Sequence, residues 1–334
     1  MIECGPGGEQ PESMRTITLE EHFITPEVLK KSTEIQPASR NNFLKAVEEK
    51  LLDLGKIRIA DMDAAGIDLQ IMSLTNAGLD KLDSPTATAL ARDANDRLAD
   101  AVKAYPQRFA AFAALDLQQP EKAAAEFERC VRKLGFKGTL IHGTTKGIFL
   151  DDARFTPIFE AAQALDVPVY LHPTLPPKCV EDAYFTGLPG DTGFLLSTAA
   201  WGWHVETGMH CLRLMISGLF DRFPKLNIII GHMGEDLPFS IARAEAVLSR
   251  GVSHLKRRLG EYFQEHFYIT NSGYFTVPPL LCTMQVVGTD HILFSVDYPY
   301  TPNTVGRKFL DALPVSLEDL HKISHGNAER LLKL

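Results

Sequence analysis

A chain of 334 residues, 45% hydrophobic and 23% charged, suits one large globular domain or two ordinary ones. Its net charge of -8, with mixed signs and no Lys/Arg run, gives no electrostatic footprint for nucleic acid or an anionic membrane surface, so small-molecule partners are expected. No apolar run approaches the roughly 20 residues of a membrane span, and the five cysteines are scattered with no C-x-x-C pair, which favours reduced thiols in a cytoplasmic setting over thiolate zinc or redox chemistry.

In chain order, residues 1–15 are polar and Gly/Pro-bearing, read as a loosely ordered tail with nothing resembling a signal peptide. Residues 16–334 read as a single domain. It opens with "TITLEEHF" (16–23), an apolar alternation ending in two acids and a histidine; in a strand Glu20 and His22 share one face while Glu21 points to the other. Seven further apolar runs follow: "LQIMSL" (69–74), "FAAFAALDL" (109–117), "FKGTLIHG" (136–143), "VPVYLHP" (167–173), "LNIIIGHMGE" (226–235), "FYITNSG" (267–273) and "HILFSVDYP" (291–299). Runs apolar almost throughout, such as "LNIIIG", suit strands of a parallel sheet buried on both faces.

Helical patterns lie between the runs. "SPTATALARDANDRLADAVKAY" is expected to start with Ser84 as N-cap and Pro85 at the first helical position, and "QPEKAAAEFERCVRKLG" to close on Gly135. "TPIFEAAQALD" and "VETGMHCLRLMISGLFDRFP" continue the alternation, and "FTGLPGDTG" (185–193) reads as a long active-site loop. Eight strands separated by helices predict an α/β fold, a (β/α)8 TIM barrel.

Chemistry in such a barrel sits where strands end and βα loops begin. There the sequence places Glu20 and His22, His172, His232 with Glu235, and Asp297, the residue types that hold Zn2+, Mn2+ or Fe2+ through nitrogen and oxygen. His142 also ends a strand and is expected behind the ligands or in a loop. His204, His210, His254, His266, His291, His321 and His325 fall in helical or loop sequence and read as solvated or core-satisfied rings. "AAWGWHVET" (199–207), with Trp203, reads as ordinary core or as a wall of the substrate site.

"LEEHF", "VYLHP", "LNIIIGHMGE" and "ILFSVDYP", in this order at the ends of strands one, five, six and eight, resemble the amidohydrolase-related decarboxylases. That group includes the γ-resorcylate, 2,3-dihydroxybenzoate, 5-carboxyvanillate, 6-methylsalicylate and aminocarboxymuconate semialdehyde decarboxylases. The resemblance runs from about Thr16 to the C-terminus. It implies an amidohydrolase-like barrel holding one divalent ion, Zn2+ or Mn2+, with no organic cofactor, non-oxidative loss of CO2 from an aromatic or enoic acid, and homodimers or homotetramers. Carried over by motif, Glu20, His22, His172 and Asp297 are the implied metal ligands, His232 and Glu235 the dyad beside the substrate, and Arg243 in "SIARAE" a residue of the substrate pocket or of subunit contacts. Where several relatives read Asp-Trp-Pro-Phe, this chain reads Asp297-Tyr298-Pro299-Tyr300, so Tyr298 and Tyr300 are expected to alter the pocket wall.

The expected substrate is an ortho-hydroxy aromatic acid. Direct loss of CO2 would leave a costly aryl carbanion, so the ipso carbon is expected to be protonated first, by Asp297, with His232 steered by Glu235 as the second acid/base group. The alternative on the same barrel is a mononuclear metal-dependent hydrolase of a lactone or amide. A catalytically dead scaffold would be expected to have lost a strand-end ligand, and none is missing.

Overall fold

The computed structural model describes residues 14–35 and 38–334. Of the expected tail, residues 1–13 lie outside the described residues, while Arg15 is ion-paired to Glu329 at 2.8 Å.

All eight expected strands are present: β1 (Ile17–Phe23), β2 (Leu69–Leu74), β3 (Phe109–Ala111), β4 (Thr139–His142), β5 (Val169–His172), β6 (Ile228–Ile230), β7 (Phe267–Thr270) and β8 (Ile292–Leu293). Pairing is parallel and in chain order, β1 through β3 in one sheet and β4 through β8 in another. Parallel bridges Ala113↔Thr139 and Leu19↔Ser295 join the two seams and bring the strands into a ring. The expected (β/α)8 barrel is therefore the observed architecture, with helices between successive strands.

Alternation along each strand explains the continuous apolar runs. Tyr170 and Ile229 point into the barrel with Ile17, Leu19, Leu69, Ile71, Phe112, Leu140 and Leu293. Their neighbours Val169, Leu171, Ile228 and Ile230 point out against the helices. The helix Asn327–Leu332 adds Ala328, Leu331 and Leu332 to the interior cluster. Phe112 is fully buried in this interior. Phe112→Ala is expected to destabilise the fold by about 3–5 kcal/mol, read as a lower urea midpoint.

Gly135 does end the helix Pro120–Leu134, at φ 75°, a left-handed conformation that glycine adopts without penalty. The helix Ser84–Ala104 differs from expectation by one residue. Asp83, not Ser84, is the N-cap: its extended backbone lets Oδ1 accept the Thr86 N–H at 3.0 Å. Ser84 is already helical, and its hydroxyl donates to Asp116 at 2.6 Å.

Candidate active site

β1 is not the plain strand the alternation predicts. Its register shifts between Thr18 and Glu21, and Glu20 sits at φ 64°. The bulge still delivers Glu20 and His22 to one site. Glu20 Oε1 lies 3.0 Å from His172 Nε2, and His22 Nε2 lies 3.3 Å from Asp297 Oδ1. Glu21 turns away as expected. Fully buried, it accepts the backbone N–H groups of Val296 and Tyr298, both at 3.0 Å, and so brackets Asp297 from behind. Burial pushes the Glu21 carboxyl up to about 8.

The other contacts of these ligand candidates fix which atoms face inward. The hydroxyls of Tyr170 and Ser272 donate to Glu20 Oε2, leaving Oε1 turned to the centre. His172 Nδ1 meets the Pro173 carbonyl at 2.8 Å, so that nitrogen carries the proton and Nε2 presents a lone pair. Burial holds the His22 imidazole below its ordinary range, favouring the neutral, lone-pair form. Burial alone would raise the Glu20 carboxyl, but the neighbouring charge of His232 overcomes it and holds Glu20 well below the usual carboxylate range.

Glu20 Oε1 and His22 Nε2 are buried with no hydrogen-bond partner. The close approaches of Glu20 to His172 and of His22 to Asp297 therefore lack hydrogen-bond direction. Glu20, His22 and His172 each place one ligand atom within 4.8 Å of the others. A buried carboxylate oxygen and imidazole nitrogen left unpaired, converging with a second imidazole, fit a divalent cation held by nitrogen and oxygen, and Asp297 approaches this group on its His22 side.

After β6 the chain turns sharply. His232, Met233, Glu235 and Asp236 have φ between 50° and 62°, and Asp297 after β8 has φ 71°. Each such non-glycine residue costs on the order of 1–3 kcal/mol, strain that clusters where side chains must be aimed. The turn brings His232 Nδ1 to 2.7 Å from Glu235 Oε1 and leaves His232 Nε2 3.7 Å from Glu20 Oε1. Burial would lower the His232 imidazole, but Glu235 and Glu20 push it up to about 10. Burial would raise Glu235, but His232 and His204 hold it below its ordinary value.

Gly231, before this turn, touches the centre directly: a Cβ there would lie 2.6 Å from Glu20 Oε2. Gly231→Ala is expected to displace Glu20, losing bound metal and about 1–3 kcal/mol of stability, checked by elemental analysis and urea unfolding.

A cavity of about 430 Å3 opens over the centre, lined by His172, His232 and Asp297 with Phe194, Trp203, Tyr274 and Tyr300 on its aromatic walls. Trp203 thus stands at the cavity, as one of its two readings had it. Tyr300 also lines it and shares a hydrogen bond with Thr75 at 2.5 Å. Glu20, His22 and Glu235 lie fully buried beside these lining residues.

Tyr298, expected at the pocket wall, and Arg243, expected in the pocket or in subunit contacts, do not line this cavity. Tyr298 is buried on the far side of the loop, its hydroxyl donating to Asp61 at 2.9 Å and its ring beneath the Arg58 guanidinium at 4.7 Å, because the left-handed Asp297 reverses the chain between them. Arg243 is exposed on the helix Leu237–Leu248 and does not line the cavity. The expected active-site loop 185–193 is largely exposed and contributes no lining residue; Phe194, Leu195 and Thr198, just after it, do.

Three contacts escaped the sequence reading. Arg58 is fully buried and donates to the His22 carbonyl at 2.5 Å, and Tyr170 and Ser272 hold Glu20. His204, read as solvated or core-satisfied, is 1% exposed and meets Glu235 Oε2 at 2.7 Å through Nδ1. Its signal was present: it falls on the buried stripe of Thr207, Gly208, Cys211, Leu214 and Met215, where a histidine needs a partner.

Among the described residues no helix is long and apolar enough to cross a membrane. The sequence model of the Amidohydrolase family matches residues 45–334. The chain is 39% identical to a γ-resorcylate decarboxylase of Polaromonas sp., over 95% of this chain and 98% of that one. The dihydroxybenzoic acid decarboxylase structure from Polaromonas sp., with bound manganese and the inhibitor 2-nitroresorcinol, aligns at TM-score 0.86 and 39% identity over 96% of this chain and 97% of that one. The 5-carboxyvanillate decarboxylase from Novosphingobium aromaticivorans, complexed with manganese and 4-hydroxy-3-methoxy-5-nitrobenzoic acid, aligns at TM-score 0.89 and 35% identity over 97% of each chain. Matches of this length and identity lead to one assignment: the chain belongs to the amidohydrolase family, in the company of decarboxylases of hydroxylated aromatic acids.

Proposed function

We propose that this protein is a divalent-metal-dependent, non-oxidative decarboxylase of an ortho-hydroxy aromatic acid. The observation that carries the reading is Asp297, which both approaches His22 Nε2, at 3.3 Å, and lines an aromatic-walled cavity together with His232. One side chain is thereby available to the metal centre and to a bound ring.

Glu20, His22, His172 and Asp297 would hold the ion. Once bound, Zn2+ or Mn2+ supplies Lewis-acid stabilisation of the anionic oxygen beside the ipso carbon. The aromatic walls, Trp203 and Tyr300 among them, position the substrate ring. Asp297 takes the phenolic proton of the entering substrate and delivers it to the ipso carbon. The bond to the carboxylate then breaks, its electron pair restores the aromatic ring, and CO2 leaves. His232, with Nδ1 held by Glu235, presents Nε2 as the second acid/base group.

Relatives covering nearly the whole chain are decarboxylases, which favours this reading over a mononuclear hydrolase of a lactone or amide. The exposed Trp201, Val205, Met209 and Phe239 support a homodimer or homotetramer, with Arg243 free to reach a neighbouring subunit. The free thiols of Cys130, Cys179, Cys211 and Cys282 support a cytoplasmic setting; Cys4 lies outside the described residues. The test is a panel of ortho-hydroxybenzoic acids followed for CO2 and for the phenol bearing hydrogen in place of the carboxylate. Equimolar CO2 and phenol from at least one acid are expected; ester or lactone cleavage without CO2 release from any acid would overturn the reading.

A further inference from the structure

His204 lies outside the residues that line the cavity, yet it is buried beside them on the helix Gly202–Ile216. This helix packs so closely on the turn after β6 that a Cβ at Gly208 would lie 2.6 Å from the Glu235 carbonyl oxygen. The ring of His204 stands 4.9 Å from that of His232 and 5.2 Å, edge to face, from that of Tyr274. Each of its nitrogens meets an oxygen: Nδ1 lies 2.7 Å from Glu235 Oε2, and Nε2 lies 2.8 Å from the Ala199 carbonyl.

A carbonyl oxygen only accepts, so Nε2 carries a proton. Both oxygens of Glu235 meet an imidazole Nδ1, and a carboxylate oxygen only accepts, so Nδ1 of His204 carries a proton as well. The other oxygen of the same carboxylate meets His232 Nδ1 at 2.7 Å. His204, Glu235 and His232 bring nitrogen and oxygen ligand atoms close enough for a metal. Here, however, the oxygens of Glu235 are already engaged by the two Nδ1 atoms, and the remaining nitrogen of His204 by Ala199. The cluster is a hydrogen-bond relay, not a second metal centre.

We propose that His204 is a positioning residue for the reaction: a doubly protonated imidazole that pins Glu235 Oε2, so that Oε1 faces His232 Nδ1 and His232 presents Nε2 to the substrate. Without it, Glu235 Oε2 would be a buried carboxylate oxygen with no donor, and the carboxylate would rotate to find one. The same ring ties the cavity wall at Ala199 to the relay. The kinetic role rests on the decarboxylase reading; the protonation of His204 does not.

Two measurements test the proposal on the metal-loaded, full-length chain. In nitrogen-15 histidine spectra, the imidazole that disappears in His204→Gln is expected to carry protons on both nitrogens at the pH of maximal activity; one unprotonated nitrogen would overturn the proposal. Should that variant fail to fold, contacts with Ala199, whose carbonyl meets Nε2, identify the same imidazole in the unaltered chain. In kinetics, His204→Phe is expected to lower kcat by about 10–100-fold while KM changes far less and metal content holds, a loss typical of partners that orient a working group. His204→Gln, which keeps a donor for Glu235, is expected to recover most of that loss. Unchanged kcat in His204→Phe, or an equal fall in both variants, would overturn the positioning role. If the unaltered chain releases CO2 from no acid, the decarboxylase reading fails and the spectra alone judge His204.

Discussion

Asp297→Asn is expected to leave the fold and the cavity in place and to lower kcat for CO2 release by about 10²–10⁴-fold, the range for losing a general acid/base group. The substitution is close to isosteric, and asparagine is among the few residues that tolerate the left-handed region. The φ of 71° at position 297 is therefore kept without new strain. Glu21 still accepts the amides on either side and still brackets the loop. What disappears is chemistry: a carboxylate that can take up and return a proton, and an anionic group facing His22. Circular dichroism and a urea midpoint check the fold, and CO2 release checks the chemistry. Activity within threefold of the unaltered chain would remove Asp297 from the proton path.

Glu20→Gln is expected to weaken metal binding by more than about 100-fold, since even partners that only orient a ligand cost about 10–100-fold. The two hydroxyls that Tyr170 and Ser272 donate to Oε2 would select the amide oxygen for that side. The amide NH2 would then replace Oε1 and point its hydrogens at the lone pair of His172 Nε2, 3.0 Å away in the unaltered chain. A donor would occupy the place of a ligand. Volume is preserved, so unfolding should shift far less than metal affinity, which titration calorimetry reads directly. Full affinity in this variant would place the metal elsewhere.

The barrel was legible because its strands are buried on both faces, which leaves unbroken apolar runs of a length that helices do not share. Where the strands stop was less legible. "FAAFAALDL" spans nine residues, yet β3 covers Phe109–Ala111, because pairing ends as the chain bends toward its loop. The candidate ligands could be grouped because each falls late in or just after an apolar strand run, so the barrel expected from those runs gathers them. Tyr298 was expected at the pocket wall because it replaces the Trp of the relatives' Asp-Trp-Pro-Phe, and the left-handed backbone of Asp297 turns it away. His204 and Glu235 are 31 residues apart on different elements, and only the packing of a helix against a turn brings them together. Arg58 was invisible for the same reason, 36 residues from the His22 carbonyl it serves.

We propose that Glu20, His22, His172 and Asp297 hold one ion on which CO2 release depends. The most direct test is to strip the protein with a chelator and return Mn2+ or Zn2+ stepwise, following CO2 release from the best acid of the panel. No release is expected from the stripped chain, then a linear rise that levels off at one ion per chain. Release that persists without metal, or that levels off only at two ions per chain, would contradict it.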